Sequence, residues 1–307
     1  MFSLFRCNHC GKLSLYQCCD CNTDLCKDCF RQNHLSFYPH HFVKGINDSF
    51  LLKDSFNVNV KPVNIAVTSD IKCLPNGDVI VADVLGKRVM TFSVIGKQKH
   101  VIQLKYRPKI MNAVDNNTIA VSLYTNNVAI INIEKKYIEY INSTSIKSEI
   151  VSLTCIKKEI YVGDGFSIVV MDILGHFQRR IELKVRPYDM CFDVQSQLFY
   201  CIDEFSRKLI SFDCDATITF TFPEPDTNTN CIKRFTLDND GNMLVLSKHV
   251  NDELACVIKV YSKGKASDVV ISNVKLPQNL TNFSICFHHS SKSVLIGVDA
   301  TVYVYTI

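Results

Sequence analysis

Asn76-Gly-Asp-Val-Ile-Val-Ala-Asp83 reads as a turn followed by a β-branched run, and five later segments repeat the pattern. They are Thr118-Ile-Ala-Val-Ser122, Glu159-Ile-Tyr-Val-Gly163, Leu198-Phe-Tyr-Cys-Ile202, Asn242-Met-Leu-Val-Leu-Ser247 and Ser293-Val-Leu-Ile-Gly297. Short runs of Val, Ile, Leu, Phe and Tyr bounded by Asn, Asp, Gly and Ser are strand signals. Their central residues, Ile80, Ile119, Ile160, Phe199, Leu244 and Leu295, are separated by 39, 41, 39, 45 and 51 residues. A period of about 40 to 45 residues is that of a four-stranded propeller blade. The expected architecture is an all-β six-bladed propeller over residues 55–307, after a linker at 46–54.

Outward from the opening stretch, the first copy offers strands at Ile71–Leu74, Asp78–Asp83, Arg88–Ser93 and His100–Leu104, with Pro75-Asn76-Gly77 as a turn. The sixth copy offers Phe283–His288, Ser293–Val298 and Thr301–Thr306 before Ile307. Its fourth strand must come from elsewhere. The alternating run Phe56-Asn-Val-Asn-Val60 belongs to no other blade, so strand 56–60 is expected to complete the last blade and close the ring, which removes open sheet edges.

With Asn76-Gly77-Asp78, Ala82-Asp83, Lys87-Arg88-Val89, Phe92 and Gly96-Lys97, the first blade resembles an NHL repeat, and Asp240-Gly241-Asn242 and Met171-Asp172 with Gly175 echo it. Leu104-Lys-Tyr-Arg-Pro108-Lys-Ile-Met111 and Leu183-Lys-Val-Arg-Pro187-Tyr-Asp-Met190 share L-K-x-R-P-x-x-M, 79 residues or two blades apart. Pro62, Pro108, Pro187, Pro223 and Pro277 fall where one blade passes to the next, and Lys61, Lys105, Arg107, Lys109, Lys184, Arg186 and Lys275 accompany them. All such junctions open on one face, which is expected to be basic. Lys105, Tyr106, Arg107, Lys184, Arg186 and Tyr188 are the candidate partner-binding residues, cations for phosphate or carboxylate and tyrosines for stacking. The alternative is that the arginines bridge neighbouring blades. The NHL resemblance adds RNA as a ligand of this face.

Seven of the 15 cysteines lie in the first 29 residues. Cys7-x2-Cys10, Cys18-x2-Cys21, Cys26-x2-Cys29, His34 and a final histidine, His40 or His41, make eight ligands. These divide into one site of four cysteines and one of two cysteines with two histidines, both usual for structural zinc, so two Zn2+ ions are expected. So few apolar side chains accompany them that metal must supply the folding free energy, on the order of 10–16 kcal/mol per zinc. The spacing resembles the B-box zinc finger of the tripartite-motif (TRIM) family. That resemblance implies a cross-brace in which Cys7, Cys10, Cys26 and Cys29 hold one ion and Cys18, Cys21, His34 and His40 (or His41) the other. Residues 1–45 are therefore expected to form a small zinc-stabilised domain, with a short helix from Lys27 to Asn33 carrying Cys29 towards His34.

A net charge of +4 from 34 basic and 30 acidic residues neither demands nor excludes a nucleic-acid partner. No signal-peptide run and no apolar stretch of about 18 residues is visible, so the chain is expected to be cytoplasmic, without a membrane partner. There, the scattered Cys73, Cys155, Cys191, Cys201, Cys214, Cys231, Cys256 and Cys286 should be small core residues. His100, His176, His249, His288 and His289 are spread over four blades, and no phosphate loop, nucleophile elbow or H-E-x-x-H motif is present. Six residues precede Cys7 and no heptad follows the cluster, whereas TRIM ligases carry a RING and a coiled coil. The expected function is a non-enzymatic zinc-binding adaptor, with the B-box for self-association or partner contact and the propeller for protein recognition. The alternatives are an RNA-binding regulator and a component of ubiquitin ligation without its own RING.

Overall fold

The structure is a computed structural model and describes residues 6–12, 14, 16–18, 21–35, 43–45, 50–59, 66–222, 230–249, 254–261, 266–275 and 283–307. Six four-stranded antiparallel sheets follow one another in the sequence. Blade 1 comprises Thr68–Cys73, Val79–Asp83, Arg88–Phe92 and Gln98–Gln103; blades 2 to 5 begin at Pro108, Ile150, Pro187 and Asn230. The first strands of successive blades touch in circular order, and Phe283–His288 of blade 6 lies against Thr68–Cys73 of blade 1. The ring is therefore closed around a central channel lined by six inner strands, the architecture of a six-bladed propeller.

The second strands are buried on both faces because a blade packs between two others, which is why they read as continuous apolar runs. Strand pairing sets Val79, Ile119, Ile160, Phe199, Met243 and Val294 opposite Cys73, Ala113, Cys155, Phe192, Leu237 and Phe287. The expected equivalents Ile80, Leu244 and Leu295 thus stand one residue further on. A slip of one residue changes the face a side chain takes, and with both faces apolar the sequence carries no signal to fix it.

Blade 6 is completed by Leu51–Asn57, paired antiparallel to Thr301–Thr306 with Phe56 opposite Val302. The closing strand is not 56–60, and the linker expected at 46–54 gives Leu51 to Asp54 to the sheet. The physical reason is Val58. Its N–H donates to the Ala300 carbonyl at 2.8 Å and its side chain is fully buried with Val302 at the blade 6–blade 1 seam, so the chain leaves the sheet there.

Polar side chains tie the inner strands together. The Asp70 carboxylate accepts the Met111 N–H of blade 2 at 2.8 Å and the Ser284 hydroxyl of blade 6 at 2.6 Å. Ser284 in turn accepts the Ile71 N–H at 3.1 Å. On the opposite side of the ring, Asp189 accepts the Phe235 N–H at 3.0 Å. Burying these carboxylates is tolerable because each is hydrogen-bonded.

Candidate metal centres and a candidate recognition face

The N-terminal segment has a core of Leu25, Phe30 and the buried cysteines, with Tyr16 and Phe30 ring centroids 4.8 Å apart. Around it the sulfurs of Cys7, Cys10, Cys26 and Cys29 all lie within 4.8 Å of one another, and those of Cys18 and Cys21 lie within the same distance of a His34 ring nitrogen. Local chain geometry explains how. Gly11 and Asn22, each following the second cysteine of a pair, adopt positive φ of 70° and 50°, and the Cys21 N–H points back at Cys18 Sγ at 3.3 Å. A single α-turn, Lys27–Cys29, widens into a π-helical turn, Phe30–Leu35, which brings His34 to the second pair. His40 and His41 lie outside the described residues.

Four sulfurs at tetrahedral zinc, each about 2.3 Å from the ion, stand about 3.8 Å apart; Cys10 and Cys26 are at 3.5 Å. The donors fit a metal electrostatically as well. Cys29 is pushed up to about 12 by its contact with Cys10 and by burial. Burial also works against the Cys7 thiolate, yet N–H groups of Cys26, His9 and Cys10 bring it down to about 6. Cys10 and Cys29 thus resist joining Cys7 as thiolates until a divalent cation neutralises the charge. Both groups could hold a metal ion; when bound, the ion would supply cross-linking free energy.

Each blade runs antiparallel from the channel outward. Connections to the next blade and loops between second and third strands therefore emerge together on one face, here the junction face. The Val67, Arg107 and Arg186 carbonyls of the connections accept the Val84, Tyr124 and Glu204 N–H groups of those loops at 2.9, 3.1 and 3.0 Å. The aspartates ending the second strands reinforce this: Asp83 accepts the Val67 and Gly86 N–H groups, Asp164 those of Lys147 and Ser148, Asp203 those of Arg186 and Ser206.

Loops held this way display four large apolar side chains, Leu85, Tyr124, Phe166 and Phe205, one from each of four consecutive blades and each at least half exposed. Phe166 and Phe205 stack at 5.8 Å with planes 17° apart. Lys87, Lys105, Arg107, Lys147, Lys184 and Lys208 are exposed on the same face.

Of the candidate partner-binding residues, Lys105, Arg107 and Lys184 are exposed. The other three are engaged. Tyr106 meets Tyr140 edge-on at 5.7 Å, and Tyr188 lies under Arg234 at 4.9 Å. Arg186 pairs with Glu204 at 3.0 Å and Glu149 at 3.6 Å, and Lys109 pairs with Glu149 at 2.6 Å, so these two bridge blades. Neither tyrosine is presented for stacking; among the described residues the rings most exposed on this face are Tyr124, Phe166 and Phe205. A sequence signal for them existed, since a large apolar residue recurs one or two positions past the end of the second strand, where no core position requires it. Lys61, Pro62, Pro223 and Pro277 lie outside the described residues.

Cysteine placement also departs from expectation. Cys201 and Cys286 are buried, but Cys214 is exposed in a turn, and Cys73, Cys155, Cys191 and Cys286 line a cavity at the channel mouth on the other face. Among the histidines, His288 Nε2 lies 2.8 Å from the Gly77 carbonyl and joins blade 6 to blade 1. No helix among the described residues is long and apolar enough to cross a membrane.

No protein-family model and no curated protein sequence matches the chain. Solved structures do. A streptogramin B lyase aligns over 84% of this chain and 97% of its own, with a TM-score of 0.61 and 11% identity. A structural-genomics protein of unknown function from Bacteroides thetaiotaomicron aligns over 87% of this chain and 81% of its own, with a TM-score of 0.63 and 12% identity. At such identities the likeness is one of fold, a propeller that in the first case serves an enzyme.

Proposed function

We propose that this protein is a zinc-binding recognition adaptor of the cytoplasm, in which the junction face of the propeller binds a protein partner. The carrying observation is the row Leu85, Tyr124, Phe166 and Phe205, displayed by the same loop of four consecutive blades and surrounded by exposed lysines and Arg107. Aromatic anchors within a polar, charged rim are the makings of a protein interface, and the cations favour an acidic segment. The N-terminal module, with two zinc ions in a B-box-like cross-brace, supplies self-association or a second contact. Phe166→Asp/Phe205→Asp should leave thermal unfolding unchanged and remove most of the proteins that proximity labelling recovers with the wild type. Unchanged recovery would exclude this face as the recognition surface.

A second reading is favoured by the stacked Phe166–Phe205 pair itself: exposed rings among cations also suit single-stranded RNA, with bases on the rings and phosphates on Lys and Arg. A mobility-shift titration separates the two. RNA binding should weaken steeply with salt and be lost in Arg107→Glu/Lys184→Glu; binding indifferent to both would dismiss RNA.

A further inference from the structure

The channel mouth opposite the junction face opens into a cavity of about 430 Å³ lined by the ends of all six inner strands. Cys73 of blade 1 and Cys286 of blade 6 both line it, and their sulfurs are 3.2 Å apart although 213 residues separate them in sequence. Their strands lie side by side, fastened by the mutual hydrogen bonds of Ser284 with Asp70 and Ile71. A disulfide requires sulfurs about 2.05 Å apart on neighbouring backbones. The backbones are already neighbours, and the remaining approach of about 1.2 Å is within the reach of small χ1 rotations. Lys72 lines the same cavity, and Asp70 and Asp189 keep it charged although burial opposes this; its ammonium counters, without overcoming, the contact with Cys286 and the burial that push the Cys73 thiol up, so oxidation is slow and needs excess peroxide.

We propose that Cys73 and Cys286 form a reversible disulfide that staples the first blade to the last, with a peroxide as the oxidant. One thiolate attacks a peroxide oxygen; the O–O bond breaks, leaving a sulfenic acid, and the departing oxygen takes up protons as water. The second sulfur then attacks the sulfenic sulfur, and the S–O bond breaks to release another water. Two thiols and one hydrogen peroxide become one disulfide and two waters; the sulfurs lose two electrons and the peroxide oxygens gain them. A small thiol reductant reverses the change by exchange. The bond would lie on the inner-strand seam of blades 6 and 1, which is otherwise held by hydrogen bonds and by the packing of Cys286, Leu295 and Val302 with Ile71 and Val79.

Tryptic peptides 73–87 and 276–292 each contain one cysteine, so the cross-link is readable without reference to the metal-binding thiols. The full-length zinc-loaded protein would be treated with hydrogen peroxide, its residual thiols alkylated, and the digest analysed without reduction. The expected product is the joined peptide pair, two hydrogens lighter than the sum and separated by reductant. The thermal midpoint of the oxidised protein should rise by about 5 °C, and Cys73→Ser and Cys286→Ser should each lose both signals. Recovery of the two cysteines alkylated, as separate oxyacids or joined to other cysteines would overturn the proposal, and this readout on the wild type stands even if a serine variant fails to fold. An unchanged midpoint in cross-linked protein would overturn the stapling.

Discussion

Arg88 and Asp83 are buried together at the end of the first blade's second strand, Nε to Oδ2 at 2.8 Å, with the arginine 2% exposed and the aspartate wholly covered. The pair also holds the junction-face loop, because Asp83 accepts the Gly86 amide within it and the Val67 amide of the connection beside it. Arg88→Met should cost about 3–5 kcal/mol in urea unfolding, since it leaves an unpaired buried carboxylate; adding Asp83→Asn should recover part of the loss. Asp164 works similarly in blade 3. Burial alone would raise its pKa, but the Lys147 amide, the Ser148 hydroxyl and Arg180 outweigh it and hold the group below its ordinary value of 3.8. A carboxylate depressed on folding contributes stability that is complete above the ordinary range and is lost as pH falls through the lowered value. Asp164→Asn should therefore destabilise the protein by about 1–3 kcal/mol at pH 7 and flatten the acid limb of its stability–pH profile below about pH 4; an unchanged limb would assign the acid sensitivity elsewhere.

Elements meet through their turns. Gly96 and Gly175 lie between the third and fourth strands of blades 1 and 3, at φ of 78° and 85°, against the outer strand of the preceding blade. A Cβ on Gly175 would come within 2.4 Å of Ile141 Cγ2, and one on Gly96 within 2.4 Å of Phe56 Cβ. Gly175→Ala combines a disfavoured backbone with a core collision and should lower stability by about 2–4 kcal/mol in denaturant titration. Gly11→Ala meets nothing within 4 Å and should cost about 1 kcal/mol. The N-terminal module has two groups of side chains that could hold metal ions, and its stability should depend on them. Cys26→Ser should reduce the zinc measured by plasma mass spectrometry from about two ions per chain to about one. Chelation should abolish amide protection in residues 16–18, 21–35 and 43–45 and leave that of the blades in place; a metal count of one in the intact protein would contradict the two-site reading.

At the scale of the whole molecule, the ring is held by neighbours that are remote in sequence. Thr301–Thr306 pairs with Leu51–Asn57, Asp70 links three blades, and His288 reaches the Gly77 carbonyl. A fragment of residues 51–290 lacks two strands of blade 6 and leaves Leu51–Asn57 and Phe283–His288 without the strands they pair with. It should fail to give a soluble, cooperatively unfolding product, and a single sharp thermal transition from it would show that closure is dispensable.

The sequence by itself determined the six blades and, in the sixth, the bounds of Phe283–His288, Ser293–Val298 and Thr301–Thr306, because alternation and turn residues are local properties of the chain. It also marked the cysteine pairs, since two sulfurs three positions apart can share an ion whatever surrounds them. Only the tertiary structure decided what depends on remote neighbours. It moved the closing strand to Leu51–Asn57, turned Tyr106, Tyr188 and Arg186 into contacts between elements, and set Tyr124, Phe166 and Phe205 on one face. It also brought Cys73 to Cys286. A side chain's identity states what it can do, but whether it faces a partner, a neighbouring blade or water is fixed by residues tens to hundreds of positions away.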